Sequence, residues 1–186
     1  MSKLTNRKVA ILATHGYEQS ELEKPLEALK EEGAEVHVVS PEAGEIMGWD
    51  EDDWGRSVVV DVTLSEAGPA DYDALVLPGG QINPDILRTN TDAVTFIRAI
   101  FDAGKPIGAI CHAPWLLAEA GIAKGRNLTS YHSIRTDMEN AGAKWEDSMV
   151  VVDNGLVTSR NPDDLPAFCD KVIEEICEGR HETRAA

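Results

Sequence analysis

Lys105-Pro106-Ile107-Gly108-Ala109-Ile110-Cys111-His112-Ala113-Pro114-Trp115 is the stretch on which the fold turns. A short apolar run leads straight into a cysteine and a histidine. Pro114 then suits the first turn of a helix, where its missing N–H costs nothing. A nucleophile at a sharp strand-to-helix turn needs small residues two positions to either side, because the backbone there is crowded. Ala109 and Ala113 occupy those positions. Beside the free N–H groups of a helix start, Cys111 would be favoured as thiolate over thiol. The same eleven residues also suit a buried structural cysteine at the end of a core strand, and taken alone they do not separate the two readings.

The flanking sequence supplies the context. Val9–Ala13 and Tyr72–Leu77 are apolar runs of the kind buried on both faces of a parallel sheet, and Glu35–Ser40 reads as a further strand. Between them lie helical patterns, one with Leu22, Leu26 and Leu29 and a stop at Gly33, another with Val94, Ile97 and Phe101 ending at Gly104. A third helix carries Leu116 and Leu117 up to Gly121. Leu128–Tyr131 reads as a short strand and Thr136–Asn140 as a helix. Val150–Thr158 is a hairpin turning at Asn154-Gly155. Asn161-Pro162 opens a last helix striped by Leu165, Phe168, Val172, Ile173 and Ile176. Alternating strands and helices predict a mostly parallel, doubly wound sheet covered on both faces. The first βα turn lacks the GxGxxG of a dinucleotide site.

Residues 1–186 read as one domain. Within it, 44–62 is an acidic excursion bearing Trp49 and Trp54, and 180–186 a frayed tail. The excursion, closing with a strand over Ser57–Val62, reads as a hairpin standing off the main sheet, either as a solvated loop or as a subunit contact, since exposed tryptophans anchor interfaces. In a doubly wound sheet the ligand site lies outside the carboxyl ends of the strands. Glu18, Gly79-Gly80 and Cys111-His112 all fall at such ends, which adds weight to the catalytic reading of the cysteine.

Composition excludes several classes. The net charge of −16 repels phosphate backbones and anionic membranes, so no stable nucleic-acid or membrane partner is expected. No apolar run approaches the ~20 residues that span a bilayer. The first residues show no signal-peptide core, and the three cysteines have no disulfide-framework spacing, so a cytoplasmic location is the expectation. No CxxC, HExxH or clustered Cys/His pairs occur, and no metal site is predicted.

Taken together, these motifs resemble the ThiJ/PfpI superfamily, in particular its PfpI-type branch of intracellular cysteine peptidases and protein deglycases. Ala109–Pro114 is similar to the nucleophile motif and Tyr17-Glu18-Gln19-Ser20-Glu21-Leu22 to the aromatic-Glu-x-x-Glu-Leu segment. Leu77-Pro78-Gly79-Gly80 with Asn83-Pro84-Asp85, Thr129-Ser130-Tyr131, Asn140–Ala143 and Ser159–Leu165 also match, in order along nearly the whole chain.

The resemblance implies a flavodoxin-like fold of the class I glutamine amidotransferase kind and a set of roles. Cys111 would be the nucleophile, Glu18 the carboxyl group hydrogen-bonded to its sulfur, and His112 the general acid/base. Asp85 from a neighbouring subunit would orient His112. The backbone N–H groups of Gly80 and His112 would form the oxyanion hole, and Tyr131 would line the pocket. Ala113 and Trp115 stand where relatives often carry Gly and Gln, and His15 where an acidic or small residue is common. Trp115 would narrow the pocket and His15 would add a proton acceptor, although each also has a packing explanation. No cofactor is implied.

The function expected is cysteine-dependent chemistry on reactive carbonyls: deglycation of methylglyoxal or glyoxal adducts on proteins, or glutathione-independent glyoxalase activity on the free compound, in a homo-oligomer of even number. A PfpI-type peptidase is the alternative within enzymes, and a redox sensor or holding chaperone the alternative outside them, since an accessible low-pKa cysteine oxidises readily. A flavin or phosphoryl-signalling domain fits poorly, because the first βα loop lacks a hydroxyl-rich phosphate-binding run.

Overall fold

The computed structural model of the chain describes residues 2–181. In chain order its elements are β1 (Lys8–Leu12), β2 (Tyr17–Glu18), α1 (Gln19–Glu31), β3 (Glu35–Ser40), β4 (Glu45–Asp50), β5 (Asp53–Val59), β6 (Val62–Thr63), β7 (Ala74–Leu77), α2 (Ile82–Leu87), α3 (Thr91–Asp102), β8 (Ile107–Ile110), α4 (Pro114–Glu119), β9 (Asn127–Leu128), α5 (Arg135–Asn140), β10 (Lys144–Trp145), β11 (Val150–Asp153), β12 (Leu156–Ser159) and α6 (Leu165–Glu178). Seven strands form the main sheet in the order β11-β12-β8-β7-β1-β3-β6. Every neighbouring pair is parallel except the β11/β12 hairpin. This is the flavodoxin-like α/β architecture.

The period of two along each strand divides the core into two layers. In β1, Val9 and Ile11 face one side, where Leu22 and Leu29 of α1 and Phe168, Val172 and Ile176 of α6 pack. Ala10 and Leu12 face the other, against Phe96, Ile97 and Ile100 of α3 and Leu116 and Leu117 of α4. Both faces being apolar explains the unbroken hydrophobic runs in the sequence. Gly108 lets α6 close on β8, because a Cβ there would lie 2.7 Å from Val172 Cγ2.

The acidic excursion is the expected hairpin standing off the main sheet, with β4 and β5 antiparallel and turning at Glu51 (φ 57°) and Asp52. It lies beside β2, which pairs in parallel with β4 to form a separate three-stranded sheet, and Trp49 and Trp54 meet edge to face at 5.5 Å. Other segments are placed differently. The expected strand Ser57–Val62 is divided between β5 and β6, the latter joining the edge of the main sheet. Of Leu128–Tyr131 only Leu128 pairs, in β9, because the chain then turns so that the Tyr131 N–H donates to the Cys111 carbonyl at 2.7 Å. Pro25 lies within α1, where the leucine pattern had not marked an interruption. Asn154 and Gly155 both take positive φ, as a two-residue hairpin turn requires.

His181, within the expected frayed tail, is anchored. The His181 N–H donates to the Gly104 carbonyl at 2.9 Å, and its ring meets Glu175. Residues 182–186 of the expected tail lie outside the described residues. Among the described residues no helix is long and apolar enough to cross a membrane.

Candidate active site

β8 delivers Cys111 to the carboxyl edge of the sheet, and the residue takes φ 64°. A non-glycine residue there costs on the order of 1–3 kcal/mol and is retained where the surroundings over-determine it. The surroundings do so here. The Cys111 N–H donates to the Ser159 carbonyl at 3.0 Å, its carbonyl accepts from Tyr131, and the Ala113 N–H donates back to Ile110 at 3.0 Å. Pro114 then begins α4. This is the strained elbow that the small residues at 109 and 113 predict.

The carboxyl group against the sulfur is that of Glu21, not Glu18. Glu21 lies in the first turn of α1 and is fully buried. Its Oε2 accepts the Gly79 N–H at 2.8 Å, while its Oε1 is buried without a hydrogen-bond partner, and the carboxyl group lies against the Cys111 thiol closely enough for each to shift the other's ionisation. A Cβ at Gly79 would lie 2.5 Å from that Oε2 and 2.7 Å from Cys111 Cβ, so only glycine lets the two approach. Glu18, at the N-cap, is half-buried and accepts from Ser20 Oγ at 3.1 Å. Its carboxyl group is raised by burial, partly offset by Ser20, and faces the cavity rather than the sulfur. The two glutamates are three residues apart and share a helix face; the docking of α1 on the sheet buries the second of them.

Burial, with the charge of Glu18 added, pushes Glu21 up to about 8, against hydrogen bonds from Gly79, Cys111 and Gly80. Burial, followed by the Glu21 charge, also raises the Cys111 thiol, against the backbone N–H groups of Gly80 and His112. Each ionisation opposes the other, so a proton held on Glu21 favours loss of the one on Cys111. With that proton on Glu21 the second of these two raising effects disappears, and the carboxyl O–H becomes a donor to the sulfur.

Gly80 takes φ 78°. Its N–H and that of His112 both reach the Cys111 sulfur, the disposition expected of an oxyanion hole. The glycine pair is pinned by Asn83, a buried side chain that donates to the Pro78 and Gly79 carbonyls at 2.9 and 3.1 Å and accepts the Thr14 N–H at 2.8 Å.

His112 places Nδ1 3.1 Å from Cys111 Sγ and Nε2 3.2 Å from Ser133 Oγ. Its ring stacks on Tyr131 at 4.7 Å. Burial, with the nearby His132 adding to it, lowers its pKa to about 4, so the ring is neutral around pH 7. Asp85 is exposed on α2, and within the chain it is Ser133 that meets the outer nitrogen of His112.

Cys111, His112, Glu18, Glu21, Gly80 and Tyr131 surround a cavity of about 540 Å³, closed on its other sides by Trp49 and Glu51 of the hairpin, Ile82 and Pro162. Trp115 and His15 do not line it. One turn into α4, Trp115 points toward α5: its Nε1 donates to Asp137 at 2.9 Å, Arg88 covers one face, and its edge meets His112 at 5.3 Å. His15 is exposed and turned to the hairpin, its Nδ1 accepting the Met47 N–H at 3.1 Å. The tryptophan in the wall is Trp49, which the sequence offered only as part of a solvated loop or a subunit contact.

A doubly wound sheet with a strained cysteine elbow, a buried carboxyl group and two converging N–H groups defines a class: α/β proteins built to use a cysteine nucleophile. Within it, the chain belongs to the DJ-1/PfpI family, whose model matches residues 7–175. It is 46% identical over 167 residues to Deglycase PfpI of Pyrococcus furiosus, covering 90% of this chain and 98% of that one. Protein/nucleic acid deglycase 2 of Escherichia coli is 44% identical over 164 residues, 88% of this chain and 94% of its own. Among solved structures, Drosophila melanogaster DJ-1beta superimposes with a TM-score of 0.83 at 29% identity, over 92% of this chain and 90% of that one.

Proposed function

We propose that the protein is a cysteine-dependent deglycase that removes methylglyoxal- or glyoxal-derived adducts and also converts the free dicarbonyls. The observation that carries this reading is the buried Glu21–Cys111 pair at the elbow, within a cavity large enough for a small carbonyl or for its adduct on a side chain. The names of relatives similar over nearly the whole chain support it.

In the proposed reaction, Cys111 Sγ adds to the aldehyde carbon, and the oxygen that gains charge takes the proton of Glu21, giving a hemithioacetal. An adduct on an amine enters by exchange, the carbon passing from nitrogen to sulfur as the free amine leaves with a proton. His112, neutral and beside the sulfur, removes the hydrogen on the sulfur-bearing carbon and returns it to the neighbouring carbon through an enediol. The product is a thioester on Cys111, whose carbonyl oxygen the Gly80 and His112 N–H groups stabilise as water attacks. Hydrolysis returns the thiol and releases a 2-hydroxy acid. Glu18 and Tyr131 position the substrate, and Asp85 of a second subunit completes the His112 environment in an even-numbered oligomer.

The test is production of lactate from methylglyoxal, and of free amine from methylglyoxal-modified acetyl-lysine, by wild type and Cys111→Ser. Cys111-dependent cleavage of fluorogenic peptides without either product would assign the site to peptidase chemistry instead.

A further inference from the structure

At the opposite, amino edge of the main sheet, a second cluster of ionisable side chains lies apart from Cys111. Glu175 and Glu178 are three residues apart in the last turns of α6 and therefore share a face. Gly179, at φ 90°, ends the helix and turns the chain back. His181 is then anchored through its N–H to Gly104, just before β8. This return brings His181 Nε2 to 2.9 Å from Glu175 Oε2, and the ligand atoms of all three side chains fall within 4.8 Å of one another.

The central two atoms are unusual. The Glu175 side chain is only 9% exposed, and neither its Oε2 nor His181 Nε2 has accessible surface or a hydrogen-bond partner in proper geometry. Two buried atoms face each other at ion-pair distance and need a shared proton or cation between them. In a tetrahedral zinc site with bonds of about 2.05 Å the two atoms would stand about 3.3 Å apart, so a small opening of the pair would admit the ion. A backbone hydrogen bond from Gly155 holds the Glu175 carboxyl group, as an outer-shell contact orients a ligand. Glu174 and Glu178 add further negative charge close by.

We propose that Glu175, Glu178 and His181 bind one divalent transition-metal ion of the zinc class, with water completing its coordination. One imidazole and two carboxylates form a borderline donor set that suits zinc or cobalt better than magnesium. The sequence contains no CxxC, HExxH or paired Cys/His signature, and Glu-x-x-Glu-x-x-His becomes a cluster only because Gly179 reverses the chain. The ion would clamp the end of α6 to the loops before β8 and β12, through Gly104 and Gly155, without touching the catalytic edge.

The test is titration of Zn²⁺ into the full chain after chelator treatment, followed by calorimetry and thermal unfolding. A Cys111→Ser/Cys169→Ser/Cys177→Ser background removes competing thiols. The expected result is one ion per chain with a rise in Tm. His181→Ala should weaken binding at least 30-fold and Glu178→Gln, an exposed and structurally mild change, at least 5-fold. Co²⁺ in place of Zn²⁺ should give visible ligand-field absorption that is lost in His181→Ala. Absence of saturable Zn²⁺ binding up to millimolar concentration would overturn the proposal and leave Glu175 and His181 as an ion pair only. Equal affinity in wild type and His181→Ala would overturn it as well.

Discussion

The carboxyl group of Glu21 is held against the sulfur of Cys111 by the Gly79 N–H, which Glu21 Oε2 accepts at 2.8 Å. Burial keeps the Glu21 proton in place to about pH 8. Activity is therefore expected to fall on an alkaline limb near pH 8 as Glu21 ionises and the thiolate loses its donor. Glu21→Gln should lower kcat by about 10²-fold or more, in the range of a lost acid/base or positioned donor, and remove that limb. Glu18→Gln should change kcat less than about 10-fold and leave the limb in place. Steady-state pH profiles of the three proteins distinguish the two glutamates.

The same ionisation affects stability, and its sign is fixed. Glu21 is raised in the folded state from an ordinary value of 4.5, so the folded chain holds a proton that the unfolded chain gives up. No cost from Glu21 arises below about pH 4.5. From there to about pH 8 the wild type should lose stability relative to Glu21→Gln at up to about 1.4 kcal/mol per pH unit. Urea unfolding at pH 5, 6.5 and 8 measures the gap, which should widen in favour of the variant.

Two tryptophans lie near His112 in sequence or space, and they should respond differently to removal. Trp49→Ala opens the cavity wall and is expected to raise KM severalfold with little change in Tm. Trp115→Ala removes the Asp137 hydrogen bond and the stacking with Arg88. It should cost about 1–3 kcal/mol of stability, less than a fully buried aromatic, while leaving KM within about twofold. Thermal unfolding and methylglyoxal kinetics on both variants check this.

Asn83 ties Thr14 of the first βα turn to Pro78 and Gly79 of another through three hydrogen bonds. Asn83→Ala removes the partner of the Thr14 N–H and of the Pro78 carbonyl, at about 1–3 kcal/mol for each group left orphaned, while the Gly79 carbonyl keeps the Glu18 N–H at 3.3 Å. It should also displace the Gly80 N–H, so kcat falls while KM holds. Asn83→Asp restores the acceptor toward Thr14 only and should recover part of the stability and little of the rate.

Asp85 is exposed on α2, and within the chain Ser133 rather than Asp85 meets His112. If it acts across an interface, mixing Asp85→Ala chains with Cys111→Ser chains under exchange should restore up to about a quarter of wild-type activity per site, the statistical share of active sites in which both intact residues meet. The measurement is lactate formation before and after subunit exchange. No recovery from exchanged chains rules out the shared site.

Local chemistry in the sequence determined the layered sheet, the elbow at Cys111, the glycine pair and the Asn154-Gly155 turn. Apolar runs buried on both faces, small residues around a strained φ and a positive-φ dipeptide each act over a few neighbouring residues. Packing between distant elements decided what surrounds the elbow. Glu18 and Glu21 share a helix face and are equivalent by spacing, and the burial of Glu21 depends on how α1 lies across Gly79. Trp115 and Trp49 likewise differ by the direction each backbone faces, one toward α5 and the other, on a hairpin docked beside β2, into the cavity. The Glu175–His181 cluster exists only because the chain reverses at Gly179 and returns to Gly104. Contacts of long sequence separation are set by the sum of the packing, and no local pattern carries them.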